Sequence, residues 1–145
     1  MRISTKGRYG LRTLMDIARH QHGGAVTLND IAKRQGISVK YLWQVITPLK
    51  TANVLHVTRG AKGGFALARA PEDITLYEIV TTLEGELSLV DCLGKGAMCD
   101  MVETCVARTV WQDVNQAVEA ALKGITLADI LKRCAAAAGT ADYVI

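Results

Sequence analysis

Apolar residues recur at helical spacing over residues 8–22, RYGLRTLMDIARHQH, with Leu11, Leu14, Met15 and Ala18 on one face until Gly23 and Gly24 stop the pattern. Thr27 then opens TLND, a capping box in which Asp30 reaches back to the cap's backbone N–H. It predicts a short helix, LNDIAKRQ, closed by Gly36. Ser38 caps the next helix, VKYLWQVITPLKTA, whose Val39, Leu42, Val45, Ile46 and Leu49 face inward. Pro48 lies inside this pattern and is expected to kink the helix or shift its end. Two β-prone runs follow, VLHV at 54–57 and FALA at 65–68, joined by the glycine- and cation-rich TRGAKGG, which reads as a hairpin with a mobile tip.

The second half returns to the helical period. Thr75 opens another capping box, TLYE, for a helix to about Leu83, and residues 85–99 form a loop with GKG and two cysteines. A long amphipathic helix is predicted over 102–123, with Val106, Val110, Val114, Ala117, Val118, Ala121 and Leu122 on its apolar stripe. Gly124 ends it, and TLAD at 126–129 caps one more helix before an Ala-rich, fraying tail. The expected fold is mainly α with a small β-hairpin. Helix, tight turn at Gly36, second helix and basic hairpin make a winged helix-turn-helix DNA-binding domain at 1–84. A cysteine-bearing loop at 85–101, dimerisation helices at 102–138 and a flexible tail at 139–145 complete the division.

Composition narrows the class. Of 145 residues, 50% are apolar and 21% charged, enough to form a core, and the 5% aromatic content leans helical. Charges interrupt every apolar run, so no membrane span is expected, and the N-terminal stretch lacks the features of a secretory signal. The expected location is the cytoplasm. Charge is unevenly placed: residues 1–70 carry twelve Lys and Arg against two acids, a net of +10, while the remaining 75 residues carry five against twelve, a net of −7. A cationic half attracts a polyanion, and release of the counterions condensed on nucleic acid then drives binding; the alternative reading is a solvated basic face that keeps the protein soluble. The winged-helix pattern makes double-stranded DNA the expected partner.

The second helix of such a motif enters the major groove with its N-terminal residues toward base edges. Those residues are Ser38, Lys40, Tyr41, Trp43 and Gln44. Gln44 suits bidentate pairing with adenine, and Ser38, Lys40 and Tyr41 suit phosphate or base acceptors. Trp43 either stacks on DNA or packs against the wing, and Tyr41 has the alternative of packing sideways on the first helix. At the hairpin tip Arg59 suits a narrow minor groove, with Gly60 and Lys62 beside it. GAKGG lies within a hairpin rather than between a strand and a helix, so it is no nucleotide cradle.

Four cysteines are present, and three share one segment, Cys92, Cys99 and Cys105, in the pattern C-x₆-C-x₅-C. Thiolates on a glycine-containing loop are soft ligands for an iron–sulfur cluster or a zinc ion, although a zinc ribbon more often shows tight C-x₂-C pairs. Cys134, among alanines, reads as a small packed side chain. His20 and His22 fall at a helix C-terminus, where imidazole meets the negative end of the dipole. No nucleophile–base constellation occurs, so neither an enzyme nor a small-molecule substrate is expected.

The stretch from MRISTKGRYGLRTLMDIA through LNDIAKRQGISVKYLWQVITPLKTANVLHVTRGAKGGFALAR to ITLYEIV, the cysteine loop and ITLADIL resembles the Rrf-two family of transcriptional regulators over nearly the whole chain. The closest likeness is to the iron–sulfur cluster regulator (IscR-like) branch. The resemblance implies a homodimeric winged-helix protein reading DNA through Ser38, Lys40, Tyr41, Gln44 and Arg59. It also implies a cluster on Cys92, Cys99 and Cys105, 2Fe–2S ahead of 4Fe–4S. Two departures stand out: Trp43 replaces an acidic residue that helps choose the operator, and Arg108 stands where the best-known branch places a histidine ligand. The fourth ligand is therefore open among Asp91, Asp100, Glu103, His20, His22, Cys134 and an exogenous thiol or water. Arg108 is suited to donating to cluster sulfurs or balancing cluster charge. The alternative is a winged-helix regulator without a cluster, switched by thiol–disulfide chemistry, zinc or a protein partner.

Overall fold

A computed structural model describes residues 2–96 and 99–141. Helix α1 spans Thr5–His20, α2 Leu28–Gln35 and α3 Val39–Thr51; strands β1, Leu55–Thr58, and β2, Gly64–Leu67, form a hairpin; α4 spans Leu76–Glu84, α5 Val106–Lys123 and α6 Leu127–Ala141. Helix α1 starts three residues before the predicted point because Ser4 caps it, its hydroxyl accepting from the amides of Lys6 and Gly7. Thr27, Thr75 and Thr126 cap their helices, accepting from the amides of Asp30, Glu78 and Asp129. The return bond to the cap's backbone N–H is made by Asp129 at Thr126, whereas Asp30 accepts from the Thr27 hydroxyl and the Glu78 carboxylate accepts from Arg69. Helix α3 runs through Pro48 to Thr51, three residues beyond it. The long helix begins at Val106, not at 102, because residues 100–104 are turns and Cys105 occupies the cap position. Helix α6 continues to Ala141, into the stretch expected to be a tail, and residues 142–145 lie outside the described residues.

One core joins α1, α2, α3, the hairpin, α4 and the start of α6. Leu14 and Ile17 of α1 meet Ile31 of α2, Leu42, Val45, Ile46 and Leu49 of α3, Val54 and Leu55 at the hairpin, Ile79 of α4 and Leu127 of α6, all fully buried. The turn between α2 and α3 closes at Gly36, whose φ of +65° is the left-handed cap that a side chain would disfavour. Phe65 pairs with Val57 across the hairpin and also exchanges both backbone hydrogen bonds with Val26, at 2.8 Å each, which adds a third short segment to the sheet. The two later caps sit side by side: Leu76 N donates to Ile125 O and Leu127 N to Ile74 O, each at 2.8 Å. These bonds fix the start of α6 against the start of α4. Helix α5 has no buried residue.

Candidate nucleic-acid interface and cysteine segment

Helix α3 divides cleanly between two environments. Leu42, Val45, Ile46 and Leu49 are buried, while Lys40, Trp43, Gln44 and Thr47 are exposed at i, i+3, i+4 and i+7, a single outward stripe. Ser38 spends its hydroxyl on the cap, accepting from Tyr41 N at 3.2 Å. Tyr41 packs sideways on α1, its ring edge-on to Tyr9 at 5.6 Å and 88°. Trp43 takes the wing alternative: its indole meets Phe65 of β2 at 5.9 Å and 80°, yet the residue remains 49% exposed. Arg59, Gly60 and Lys62 form the exposed hairpin tip, with Gly60 at φ +109°. The structure thus places the predicted residues of helix and wing on adjoining elements, with the Trp43–Phe65 contact between them.

The N-terminus of α1 supplies a feature that the helix-period reading missed. Arg2, Ile3, Ser4, Thr5 and Arg8 line an open cleft of about 550 Å³. Ser4 followed by Thr5 was the available signal, since either hydroxyl caps a helix well. The first two turns carry Lys6 and Arg8 and no acid, so the positive end of the helix dipole and the side-chain charges repel one another unless an anion lies nearby. Within the protein the only carboxylate brought to the cap is Glu84, which accepts from Ser4 N at 3.3 Å and from its hydroxyl at 2.6 Å, among the described residues.

The placement of α2 against α1 rests on a buried charge. Asp16, 3% exposed, accepts from Arg34 Nη2 at 2.7 Å and Nε at 3.0 Å and from Gln35 Nε2 at 3.0 Å. Burial pushes this carboxyl up, but the hydrogen bonds from Arg34 and Gln35 and the guanidinium charge outweigh it and hold Asp16 below the usual carboxylate range. Arg12 donates to the Gln35 carbonyl at 2.8 Å and lies 5.3 Å from the Tyr9 ring centroid. His20 Nδ1 lies 2.7 Å from the Asp16 carbonyl, consistent with a helix-terminal role.

Cys92 lies in the short 3-10 turn Asp91–Leu93, Cys99 is exposed in the following segment, Cys105 caps α5 and Cys134 is half-buried on α6. All four are free thiols. Ala97 and Met98, beside Cys99, lie outside the described residues. Three soft donors on one accessible segment suit a thiolate-bound cluster in kind. Among the described residues, however, no three His, Cys, Asp or Glu side chains are gathered as they would be around a metal. Arg108 Nε donates to the Cys92 carbonyl at 3.3 Å, which ties the segment to α5. Asn115 adds a second tie, accepting from Leu89 N at 3.2 Å. Arg108 and Asn115 thus occupy the inner face of α5, and Val106, Val110 and Val114 lie exposed on the other.

A family model described as Rrf2, an iron-dependent transcriptional regulator, matches residues 3–133. Among curated proteins, the chain is 40% identical to Protein rrf2 of Nitratidesulfovibrio vulgaris over 132 residues, 91% of this chain and 88% of that one. Among solved structures it is similar to CymR, the global cysteine regulator of B. subtilis, with a TM-score of 0.78 and 34% identity over 92% of this chain and 98% of the other. It is also similar to T. potens IscR, with a TM-score of 0.74 and 40% identity over 92% and 88%. Among the described residues, no helix is long and apolar enough to cross a membrane.

Proposed function

The chain belongs to the Rrf2 family, so it is a DNA-binding transcriptional regulator and not an enzyme, and from that premise we propose how it binds and senses. The carrying observation is the exposed stripe Lys40, Trp43, Gln44 and Thr47 on α3, which touches the hairpin through Trp43 and Phe65, together with the exposed hairpin tip Arg59, Gly60 and Lys62. Helix α3 lies in the major groove, with Gln44 and Lys40 toward base edges and phosphates, while Arg59 reaches the adjacent minor groove. Ser38 acts as the cap that orients the helix start, and Tyr41 braces it on α1. The cleft at the start of α1, lined by Arg2 and Arg8, receives backbone phosphate. Selection from a random duplex pool, followed by affinity measured against salt, tests this reading. A recovered sequence and a steep loss of affinity with salt are expected, whereas indifference to both overturns it.

The regulator is a homodimer through α5. Val106, at 76% exposure, Val110, Trp111 and Val114 present an apolar surface that water disfavours, on a helix with nothing buried. Cys92, Cys99 and Cys105 would hold an iron–sulfur cluster, 2Fe–2S ahead of 4Fe–4S, as suggested by the likeness to IscR. Such a cluster supplies a centre that oxidants, nitric oxide or iron shortage destroy. The protein's own part is to couple the segment to α5 through Arg108 and Asn115. The likeness to CymR and the exposure of Cys99 favour a second reading, in which the same thiols switch by oxidation without a cluster. An anaerobic absorption spectrum with iron and acid-labile sulfide assays separates them. Visible bands with matched iron and sulfide support the cluster; a colourless protein that resists reconstitution and binds DNA only with reductant supports the thiol switch.

A further inference from the structure

From the surroundings of Trp43 we infer that its indole reads the C5-methyl group of a thymine in the major groove, held in place by Phe65 of the hairpin. The inference rests on α3 lying in that groove and adds the chemical group that the helix selects there.

Trp43 is the one large apolar side chain exposed on α3 among the described residues, and it sits in the middle of the outward stripe, between Lys40 and Thr47 and next to Gln44. An indole has one N–H donor and no acceptor, so it cannot take the cytosine amino group or the adenine N6 hydrogens. Inside an intact duplex the base faces are already stacked, so only base edges are available to it. Of the groups that the four base pairs show in the major groove, the thymine methyl is the apolar one. The indole N–H can donate to a purine N7, a guanine O6 or a thymine O4, but the apolar face of a ring about half exposed and lying in the groove is matched to the thymine methyl.

Reading a single methyl requires a surface that does not move. Phe65 provides it, being 5% exposed, paired with Val57 in the hairpin and joined to Val26 by two backbone hydrogen bonds, one donated and one accepted. The edge-to-face contact at 5.9 Å and 80° rests the indole on this anchored ring, and two χ angles are all that Trp has to lose. Gly64, preceding Phe65, leaves no room to shift: a Cβ there would stand 2.6 Å from the Val26 carbonyl oxygen. The same contact fixes the hairpin relative to α3, so the groove contact of the helix and the reach of Arg59 are set together.

The test begins with a duplex selected by the wild-type protein. Each thymine is replaced singly by deoxyuridine, which removes the methyl and nothing else, and affinity is read by fluorescence anisotropy at constant salt. One thymine per half-site is expected at which the replacement weakens wild-type binding by roughly threefold to tenfold, the scale of one buried methyl. Trp43→Ala should lose that difference and bind the thymine and uracil duplexes equally, and Trp43→Phe should keep part of it. Wild-type indifference to every replacement overturns the inference without needing any variant to fold. Undiminished uracil sensitivity in Trp43→Ala, with thermal melting showing the variant folded, overturns it by assigning the methyl to another side chain. A protein that recovers no sequence at all overturns the groove reading itself, an outcome distinct from sequence-specific binding that ignores the methyl.

Discussion

Arg34 of α2 holds the buried Asp16 of α1 through two nitrogens, at 2.7 and 3.0 Å, and the two partners differ in what they lose if the other is removed. The Arg34 side chain is 34% exposed and can turn to water; Asp16, at 2%, cannot. Arg34→Ala therefore leaves a carboxylate buried with Gln35 as its remaining side-chain donor, and should cost about 2–4 kcal/mol in urea unfolding. Asp16→Asn keeps a polar partner for Gln35 and frees Arg34 to solvent, and should cost about 1–2 kcal/mol. The reverse order would mean that the pair is not the anchor of α2.

The same pair fixes the acid limb of stability. Asp16 titrates near 3.8 when unfolded and lower when folded, so its contribution is complete above that value and is lost as pH falls through the folded one. Asp129 is lowered too, by the backbone and hydroxyl hydrogen bonds from Thr126, and adds in the same direction. Wild-type stability should accordingly fall below about pH 4. In Arg34→Ala burial acts unopposed by the guanidinium and pushes Asp16 up, so acidification relieves the variant before it harms the wild type. The two stability curves should converge on the acid side when urea melts are run across pH; parallel curves would contradict the assignment.

Helices α1 and α4 approach at a notch that only glycine permits. A Cβ on Gly10 would stand 2.1 Å from Leu83 Cδ1, and one on Gly7 would stand 2.4 Å from Glu84 Oε1. Gly10→Ala should destabilise by about 1–3 kcal/mol through overpacking, despite the better helix propensity of Ala. Gly10→Ala with Leu83→Ala should recover part of that loss relative to Leu83→Ala alone, because the second change opens the space that the new methyl needs. Gly7→Ala meets the flexible Glu84 carboxylate and, at 2.9 Å, the Ile3 Cγ2 methyl, so its effect should fall on the Glu84–Ser4 hydrogen bonds and on the seating of Ile3. Thermal melts of the four proteins in the Gly10–Leu83 cycle decide it; strict additivity would rule out the notch.

Local chemistry accounts for what was readable in the chain. The caps at Thr27, Thr75 and Thr126, and the apolar period of α3, act within a few residues, so the helices and hairpin follow from them, with strand ends off by one residue. Where the start of α1 was missed, the determining contact was the Ser4 cap, which lies outside the apolar period used to find the helix. Residues 102–104 lack a favourable cap and form turns rather than helix, and Cys105 takes the cap position. The Asp16–Arg34 pair and the Gly10–Leu83 notch join residues 18 and 73 positions apart, and nothing local in the sequence announces them, whereas Trp43 against the wing, 22 positions away at Phe65, is one of the two placements its position on the second helix offers.

The apolar stripe of α5 gives a prediction about assembly. Val110→Glu places a charge where Val106 and Val114 flank it, on a face that makes no contact with the protein's own core. Desolvating that charge in a dimer should shift the protein toward monomer in sedimentation equilibrium, while the monomer's thermal stability changes by less than about 0.5 kcal/mol. Gln112→Glu, a neighbouring exposed position off the stripe, should leave the assembly unchanged. Equal effects from both would point to net charge instead of the stripe.

At the hairpin tip, Arg59 and Lys62 are both exposed and both cationic, yet they should fail differently when removed. A guanidinium in a narrow minor groove senses groove width as well as phosphate, because an A·T-rich tract deepens the negative potential there. Arg59→Ala should therefore weaken binding to the selected site by about 1–3 kcal/mol and relax discrimination near its A·T-rich flank. Lys62→Ala should weaken selected and unrelated duplexes alike and lower the salt slope by about one, as the loss of a phosphate contact does. Measuring both variants on both duplexes at several salt concentrations separates the two effects. If Arg59→Ala changes every duplex equally, the hairpin supplies charge alone, and sequence choice belongs to α3.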